Sequence, residues 1–295
     1  MLFFHHNSLV LKSYAKINVS LRIVRKLDNG YHELEMVFLP LALHDVIELT
    51  RIPNSPDSFI TCDDIGLANN HHNLCMKALN KLRQEYGFKD QFNIAIHKEI
   101  PYAAGLGGGS SNAAVVLSGV NELLNLKASK EELAKIGLTI GADVPYFFYK
   151  EPALVQGIGE KITPFPLKKE YHCLLVKPAK GLSTTEIYEH SDELECTHGE
   201  KQNAANVIEA LQTGDLNLLS EAMSNDLYNP AKKILPEVEK VVNELKAMGL
   251  VASMMTGSGS VCFALSDNVK LLKEASKKFE SEGYLTILTH TLASK

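Results

Sequence analysis

A glycine-rich segment at 101–114, which reads P-Y-A-A-G-L-G-G-G-S-S-N-A-A, offers the clearest chemistry in this chain. Glycine has no Cβ, so a run of glycines lets several backbone N–H groups turn into one concavity. The mostly apolar residues that follow predict a helix over 110–124, whose first N–H groups and positive dipole end attract anions. The pattern therefore predicts a phosphate site. Ser110 and Ser111 add hydroxyl groups that could cap the helix or touch a phosphate or its Mg²⁺.

Better-known phosphate motifs are excluded for this segment. The Walker pattern G-x-x-x-x-G-K-[ST] is missing from the sequence, and Ser110 stands where a dinucleotide fingerprint needs its last glycine. The pattern G-x-S-x-G is missing as well, so a hydrolase nucleophile elbow is not supported. The alternative is a flexible glycine linker. A predicted strand before the segment and an apolar helix after it favour a binding loop over a linker.

Two charged residues lie in otherwise uncharged surroundings. Lys16 is part of the strand-like run S-Y-A-K-I-N-V, where a lysine needs an anionic partner or a phosphate. The alternative is an edge-strand lysine that reaches water. Asn18 shares the face of Lys16 in a strand, which suits a hydrogen bond to a substrate. Asp143 precedes a Val-Pro pair between apolar runs and is a candidate base for phosphoryl transfer. Its alternative is a cap or turn aspartate after Gly141.

The composition excludes several classes of partner. The 295 residues carry 30 Lys and Arg against 35 Asp and Glu, a net charge of −5, which leaves no basic surplus for a nucleic-acid backbone. Uncharged stretches at 100–121 and 247–266 are long enough to span a membrane, but their Gly, Ser and Pro content argues against apolar helices. Five widely spaced cysteines and an N-terminus without a leader pattern favour the cytoplasm. We expect a small-molecule substrate, no nucleic acid, no membrane, and a monomer or homodimer.

The elements that must position these residues follow from periodicity and capping signals. In the first half, the sequence predicts strands at 9–14, 18–24, 46–51 and 92–97, a tight turn at Asp28-Asn29-Gly30, and helices at 73–86 and 129–137 with Asn73 and Ser129 as N-caps. In the second half, it predicts strands at 153–156, 172–176, 251–255, 261–265 and 286–290, helices at 203–211, 216–223, 236–248 and 270–280, and a loop at 189–202. The irregular order of strands and helices favours an α+β fold, with domains at 1–152 and 153–295, over a doubly wound sheet.

Several motifs, in order along nearly the whole chain, resemble those of the GHMP kinases. The glycine segment resembles the ATP loop of this family. The other matching pieces are A-K-I-N at 15–18, D-N-G-Y-H-E-L at 28–34, G-A-D-V-P at 141–145, G-I-G-E-K-I-T-P at 157–164, N-D-L at 225–227 and M-T-G-S-G-S at 255–260. The resemblance implies a two-lobe α+β fold, with a ribosomal protein S5 domain 2-like N-terminal lobe, a ferredoxin-like C-terminal lobe and an active site in the cleft between them.

The Y-H pair together with A-D-V-P resembles one branch of this family. The resemblance implies that the γ-phosphate of ATP is transferred to the tertiary 2-hydroxyl of a diphosphocytidyl sugar alcohol, in the non-mevalonate route to isoprenoids. It makes Asp143 the catalytic base, and it pairs Lys16 with that aspartate and with the acceptor oxygen. Mg²⁺ would enter with ATP, held mostly by phosphates and water, and no metal site made of protein side chains is expected.

The resemblance also assigns nucleotide contacts, with Asn73 and Lys98 near the adenine and ribose. The alternatives are an N-cap for Asn73 and a solvated strand-end lysine for Lys98. Gly257 and Gly259 would support the site, or they could form a plain hairpin turn. The residues assigned to ATP are Asn73, Lys98, Pro101, Gly105, Leu106, Gly107, Gly108, Gly109, Ser110 and Ser111.

The acceptor is assigned to five residues, of which Asn18 was argued above. Tyr31 and His32 follow a tight turn, where an aromatic ring can stack on a pyrimidine and an imidazole can bind a base edge. The alternative for Tyr31 is a turn aromatic that packs on the sheet. Thr184 and Tyr188 are four residues apart and share a helical face. They resemble the substrate threonine and the second aromatic of the family, which would sandwich cytosine with Tyr31.

Two rival functions remain at this point. One is a related GHMP kinase that acts on homoserine or a mevalonate phosphate, and the Tyr31-His32 pair argues against it. The other is a non-catalytic sugar or nucleotide sensor on the same fold. The presence of both Lys16 and Asp143 argues against the sensor.

Overall fold

The computed structural model describes residues 7–63, 72–193 and 203–292. The strands in these ranges are β1 (Ser8–Lys26), β2 (His32–Arg51), β3 (Phe59–Cys62), β4 (Phe92–His97), β5 (Ala153–Gly157), β6 (Lys161–Pro164), β7 (His172–Lys177), β8 (Ala252–Met255), β9 (Cys262–Ser266) and β10 (Leu285–His290). The helices are α1 (Leu74–Tyr86), α2 (Gly108–Leu124), α3 (Lys130–Leu138), α4 (Thr184–Glu193), α5 (Ala204–Thr213), α6 (Leu216–Ala222), α7 (Tyr228–Ile234), α8 (Glu237–Ala247) and α9 (Val269–Ser281), and a 3-10 helix covers Val144–Phe148. None of the described helices is long and apolar enough to cross a membrane.

Local turn and cap signals are confirmed in the first half of the chain. The Leu27 N–H donates to the Tyr31 carbonyl at 2.7 Å across the predicted turn, and Gly30 adopts φ +83° there. Asn73 caps α1, and Ser129 caps α3 in a complete capping box. These signals depend only on near neighbours in the sequence, which is why they could be predicted.

The strands form two sheets. One has the order β3-β4-β2-β5-β6 with β1 paired to β2, and the other has the order β10-β7-β9-β8. Residues 34–38 of β2 pair antiparallel with β5, whereas residues 46–51 pair antiparallel with β4. β3 runs parallel to β4, and the second sheet is antiparallel throughout. The mixture of sheets and helices without a repeated βα unit confirms the predicted α+β class.

Several element predictions were wrong or incomplete. β1 is one strand of 19 residues where two were predicted, because Lys16 continues it as a buried residue. α4 extends to Glu193, whereas a loop was predicted from Glu189. Only Ile187 and Ser191 of this helix are buried, and the polar composition of its exposed positions resembles that of a loop. The rest of that loop, 194–202, lies outside the described residues. The short elements β3, β6 and α7 were not predicted.

Contact density divides the chain into two units, each built from several chain segments. The first consists of Met1–Ala15, Leu43–Ile100 and Gly107–Lys150. In this unit α1 packs against α2, and α3 and the 3-10 helix also pack against α2. Buried apolar side chains such as Leu79 and Leu117 fill its core.

The second unit consists of Lys16–Ala42, Pro101–Leu106 and Glu151–Lys295. Its antiparallel sheet of β7 to β10 is covered by α8 and α9. Fully buried Phe263 on β9 and Phe279 on α9 belong to this core. Each unit therefore has an apolar core of its own, as a folding unit requires.

Candidate active site

Lys16 lies in the buried part of β1, with 3% of its surface exposed. Its Nζ atom donates to Asn18 Oδ1 at 2.5 Å and to the Gly105 carbonyl at 3.1 Å, and it lies 4.7 Å from the centre of the Phe38 ring. A buried ammonium group costs free energy unless oxygen acceptors or an aromatic face compensate for lost water. The alternative interpretation of Lys16 as an edge-strand lysine that reaches water is therefore wrong.

The segment at 255–260 contacts the Lys16 surroundings through Thr256. Thr256 Oγ1 accepts from the Asn18 N–H at 2.9 Å and donates to the Gly105 carbonyl at 3.4 Å. Gly257 adopts φ +56°, and a Cβ there would lie 3.2 Å from both Asn18 Oδ1 and the Gly105 carbonyl oxygen. The segment connects β8 to β9 as a hairpin. It also packs on Asn18 and Gly105, the two residues that accept hydrogen bonds from Lys16.

The two glycine segments approach each other backbone to backbone. Gly105 adopts φ +71°, and a Cβ on it would lie 2.3 Å from the Thr256 carbonyl oxygen, a distance that no side chain tolerates. Asn225 binds the 255–260 segment through two backbone carbonyls. Its Nδ2 donates to the carbonyls of Met255 at 3.0 Å and Gly257 at 2.8 Å. Glycine at 105 is therefore a requirement of close packing as well as of backbone conformation.

The start of α2 presents unsatisfied backbone donors. The helix begins at Gly108, two residues before the predicted start, and Gly107 precedes it at φ +72° without a side chain to cap it. The first helical bond of the segment runs from the Ser111 N–H to the Gly107 carbonyl at 2.9 Å. The N–H groups of residues 108–110 precede this ladder, and with the helix dipole they form an anion site.

The two neighbouring serines of the loop have different surroundings. Ser111 is 1% exposed and accepts a hydrogen bond from Ser13 Oγ at 2.7 Å. Ser110 is half-buried, and a Cβ at Gly141 would lie 3.7 Å from its hydroxyl oxygen. Ser110 therefore faces the segment that leads to Asp143, whereas Ser111 is bound inside the first unit.

Lys98 is part of a buried ion pair. Its Nζ atom lies 2.5 Å from Asp45 Oδ2, and the two side chains are 8% and 0% exposed. Asp45 Oδ1 also accepts from the N–H groups of Glu99 at 2.9 Å and Ile100 at 2.8 Å. A Cβ at Gly108 would lie 3.3 Å from Lys98 Nζ, so the ammonium group is next to the start of α2. The alternative of a solvated strand-end lysine is therefore wrong.

Asn73 performs the capping role that was its alternative. Its Oδ1 accepts from the Cys75 N–H at 3.0 Å. Cys75 is fully buried, and burial raises the pKa of its thiol to about 12, against a smaller opposing effect of Lys98. The cysteine is therefore protonated and inert at neutral pH. A nucleotide contact of Asn73 stays a prediction.

Asp143 is half-buried and directly precedes the 3-10 helix. Its side chain does not cap that helix. The turn is instead closed by the backbone, because the Val144 N–H donates to the Gly141 carbonyl at 3.1 Å. Asp143 therefore lies in a turn after Gly141, as its alternative had it, but without a side-chain cap, and its role as a base stays a prediction.

A second group of assigned residues lies around His32. The His32 ring stacks on Tyr188 with 4.9 Å between ring centres, and its Nε2 lies 2.7 Å from Asp192 Oδ1. Lys26 Nζ donates to the other oxygen of Asp192 at 2.6 Å. Burial alone would raise the pKa of Asp192, but the hydrogen bonds from Lys26 and His32 lower it overall. Asp192 is therefore ionised at neutral pH.

Tyr31 and Thr184 are the other two residues in this region that are assigned to the acceptor. Tyr31 is 56% exposed, and both its contact with a base and its alternative of packing on the sheet stay predictions. Thr184 Oγ1 lies 2.8 Å from Ser258 Oγ, which ties the first turn of α4 to the 255–260 segment. The sandwich of a pyrimidine by Tyr31 and Tyr188 stays a prediction.

Sequence reasoning missed several residues that shape these groups. Thr256 and Asn225 lay inside recognised motifs but had no assigned task. Asp192 could have been found, because it follows Tyr188 by four residues and shares its helical face. Asp45 had no sequence signal that pointed to Lys98, since the two are 53 residues apart. Among the described residues, no group of three His, Cys, Asp or Glu side chains could hold a metal ion.

Comparisons with known proteins agree across the chain. The GHMP kinases N terminal domain matches residues 73–151, and the GHMP kinases C terminal family matches residues 207–285. A 4-diphosphocytidyl-2-C-methyl-D-erythritol kinase of Lachnoclostridium phytofermentans is 38% identical over 97% of this chain and 98% of that relative. The kinase of the same name from Clostridium perfringens is 37% identical over 90% of this chain and 91% of that relative.

Solved structures give the same picture. A crystal structure of 4-(cytidine 5′-diphospho)-2C-methyl-D-erythritol kinase superimposes with a TM-score of 0.81 at 26% identity, covering 97% of this chain and all (100%) of that one. A homoserine kinase from Cytophaga hutchinsonii superimposes with a TM-score of 0.76 over 97% of this chain and 95% of that one. At 17% identity, the homoserine kinase shares the fold alone.

Proposed function

The chain belongs to the GHMP kinases, in the family of 4-diphosphocytidyl-2-C-methyl-D-erythritol kinases, and from this membership we propose that it phosphorylates the 2-hydroxyl of that substrate with ATP. One observation carries the choice of substrate. The chain matches kinases of this name over 90–97% of its length at 37–38% identity, whereas the homoserine kinase resembles it in fold alone. The reaction belongs to the non-mevalonate synthesis of isoprenoid precursors.

The loop around α2 fits the phosphates of ATP. Gly107 leaves the first N–H groups of α2 without a side-chain cap, and the Lys98 ammonium group lies beside Gly108. ATP, when bound, supplies the phosphoryl group that is transferred. We assign phosphate binding to the backbone of 105–110 and the Ser110 hydroxyl, with Pro101 at the entrance of the loop and Asn73 toward the adenine.

Mg²⁺ is proposed to arrive on the phosphates of ATP. Mg²⁺ in kinase sites keeps several waters and binds substrate phosphates, so phosphate and water oxygens would be its main ligands here. Such an ion neutralises charge on the transferred group. Five widely spaced cysteines support a cytoplasmic enzyme, and we propose that it acts as a monomer or homodimer.

Asp143 and Lys16 are proposed to act on the acceptor hydroxyl. Asp143 is half-buried in the turn that Gly141 and Val144 close, directly before the 3-10 helix. It would accept the proton of the attacking 2-hydroxyl. Lys16 carries a buried positive charge held beside Asn18 and Gly105, which suits stabilisation of the negative charge that develops on the transferred group. Asn18 would bind a substrate hydroxyl.

The cytidine end of the substrate is proposed to bind near α4. His32 and Tyr188 form a stacked pair, and Tyr31 is exposed on the adjacent turn. Aromatic faces and an imidazole suit a pyrimidine base. Thr184, hydrogen-bonded to Ser258, would bind the part of the substrate next to the base.

An ADP-forming assay tests this proposal. Purified protein with Mg-ATP should turn over 4-diphosphocytidyl-2-C-methyl-D-erythritol, and it should turn over homoserine and phosphomevalonate far more slowly. Folded protein that binds this substrate without turnover would support the sensor, and faster turnover of another acceptor would support a related kinase. Asp143→Asn should lower kcat by about 100-fold or more with ATP affinity retained. Asp267→Asn, at an exposed ion pair with Lys169, is the matched control and should keep kcat.

A further inference from the structure

The group of His32, Tyr188, Asp192 and Lys26, here called the His32 cluster, has an internal order that stacking alone does not explain. Lys26 ends β1 and His32 begins β2, so the tight turn between these strands brings them close together. Asp192 reaches both from α4, with one carboxylate oxygen on each. The carboxylate is thus held at two points, and the imidazole is held in its plane by Tyr188.

The contact with Asp192 decides which ring nitrogen of His32 carries the proton. An ionised carboxylate has acceptors but no donor, so the 2.7 Å contact requires a proton on His32 Nε2. In the neutral imidazole, Nδ1 then has a lone pair and accepts hydrogen bonds. The side chain of His32 is 9% exposed, so water competes little for this contact.

An accepting Nδ1 distinguishes two pyrimidine bases by their exocyclic groups. Cytosine carries an amino group at C4, which donates, whereas uracil carries a carbonyl oxygen there, which accepts. We propose that Asp192 is a positioning residue that holds His32 with Nδ1 as an acceptor and thereby makes the site select cytosine over uracil. This inference rests on the proposed function, because it concerns the base of the same substrate.

Kinetic discrimination tests the inference. The unaltered chain should prefer its cytidine substrate over the same molecule with uracil by roughly 100-fold or more in kcat/KM, because the wrong base would leave buried polar groups unpaired. Asp192→Asn should reduce this preference by about tenfold. An asparagine amide can donate to Nε2, so the proton is then free to occupy Nδ1 and to meet the uracil oxygen.

Lys26→Met is the matched control for the loss of charge. It removes the other partner of Asp192 but keeps the carboxylate against His32, so the base preference should stay within about threefold of the unaltered chain. Asp192→Glu is a second variant that restores a carboxylate. It should recover at least part of the preference if the carboxylate, and not the shape of the site, matters.

The ring nitrogens of His32 give a readout that a merely structural role would not change. In ¹⁵N-labelled protein, the NMR shifts of His32 should show the Nε2–H tautomer in the unaltered chain and in Lys26→Met. Asp192→Asn should shift the ring toward the Nδ1–H tautomer. Thermal unfolding of each variant checks that it is folded.

The outcomes separate this inference from the proposed function. A folded Asp192→Asn variant with the original tautomer and the original base preference overturns the inference. An unaltered chain that turns over neither molecule contradicts the proposed function instead, and the tautomer spectra still decide the positioning role of Asp192. A changed tautomer with an unchanged base preference overturns the claim of base selection.

Discussion

Two buried lysines contact the same glycine loop in different ways. In the second unit, Lys16 donates to neutral oxygens of Asn18 and Gly105, and the surrounding segments meet through glycines that leave no room for a Cβ. In the first unit, Lys98 lies beside Gly108 and is held by the carboxylate of Asp45. We refer to these as the glycine contact and the Asp45 pair.

The comparison teaches that one loop can be positioned by shape and by charge. The glycine contact depends on the absence of a Cβ atom, so a methyl group added there should destabilise it. The Asp45 pair depends on two charges that compensate each other away from water, so it should fail when one charge is removed. Substitutions that target each cause separately can test this distinction on one scale, the free energy of unfolding.

The largest effect is expected at the Asp45 pair. Asp45→Asn keeps the shape of the side chain but leaves the Lys98 ammonium group buried without its counter-charge. The free energy of unfolding should fall by about 3–5 kcal/mol, measured by urea denaturation. The KM for ATP should rise as well, because Lys98 is no longer held beside the loop.

Asp267→Asn is the matched control for Asp45→Asn. Lys169 also lies 2.5 Å from Asp267, but the side chains are 36% and 55% exposed. Water screens this pair, so its loss should cost less than about 1 kcal/mol. Equal losses for the two variants would contradict the claim that burial makes the Asp45 pair important.

The next effect is expected at the glycine contact. Gly105→Ala would place a methyl group 2.3 Å from the Thr256 carbonyl oxygen, in a backbone conformation of φ +71°. Strain and overpacking together should cost about 2–4 kcal/mol of unfolding free energy. The value of kcat/KM should fall at least tenfold, because the shift displaces the carbonyl that binds Lys16.

Gly87→Ala separates backbone strain from the close contact. Gly87 adopts φ +70°, nearly the same as Gly105, but a Cβ there would meet nothing within 4 Å. Its substitution should cost about 1–2 kcal/mol from conformation alone and should leave kcat/KM unchanged. If Gly105→Ala is no more harmful than Gly87→Ala, the packing argument for the glycine contact is wrong.

Features that depend on near neighbours were predictable from the sequence, and long-range pairs were not. The turn at Asp28-Asn29-Gly30 and the cap of Ser129 each involve residues at most a few positions apart. Lys16 and Asn18 could be placed on one face because a strand alternates with a period of two. Asn18 and Thr256 are 238 residues apart, and no local pattern links them. The sequence therefore predicted which residues share a turn, a cap or a strand face, but not which distant residues they contact.

The lack of a local signal for long-range contacts also explains the wrong predictions for α4 and for Lys98. A loop was predicted from Glu189 because the segment is polar, but α4 continues to Glu193 with Ile187 and Ser191 buried. Lys98 was open to interpretation as a solvated residue because its counter-charge comes from Asp45, on another strand. Polar sequence indicates exposure only when no partner from elsewhere in the chain is buried with it.

A smaller effect is expected from the hydroxyl group of Thr256. Thr256→Val removes the acceptor of the buried Asn18 N–H while keeping the branched shape. An unpaired buried donor should cost about 1–3 kcal/mol in urea denaturation. The value of kcat/KM should also fall, because Asn18 and the Gly105 carbonyl both lose a contact.

Thr291→Val tests whether that loss of activity is specific. Thr291 is also fully buried, and its hydroxyl accepts from the Tyr171 N–H at 2.9 Å. The two variants should lose similar unfolding free energy, but Thr291→Val should keep kcat/KM. A similar loss of activity in both would show that reduced stability, and not the glycine contact, causes it.

The smallest effect is expected from Ser13, and it bears on how the loop uses its two serines. Ser13→Ala removes the hydrogen bond to the buried Ser111 hydroxyl and should cost about 1 kcal/mol, with the KM for ATP changed by less than threefold. Ser110→Ala should cost little stability but raise the KM for ATP several-fold, because this half-buried hydroxyl is the one assigned to phosphate. If Ser13→Ala raises the KM for ATP as much as Ser110→Ala, the Ser111 hydroxyl that Ser13 contacts also serves the nucleotide. The exact position of a buried group would then matter for ATP binding at the start of α2, as it does at the glycine contact.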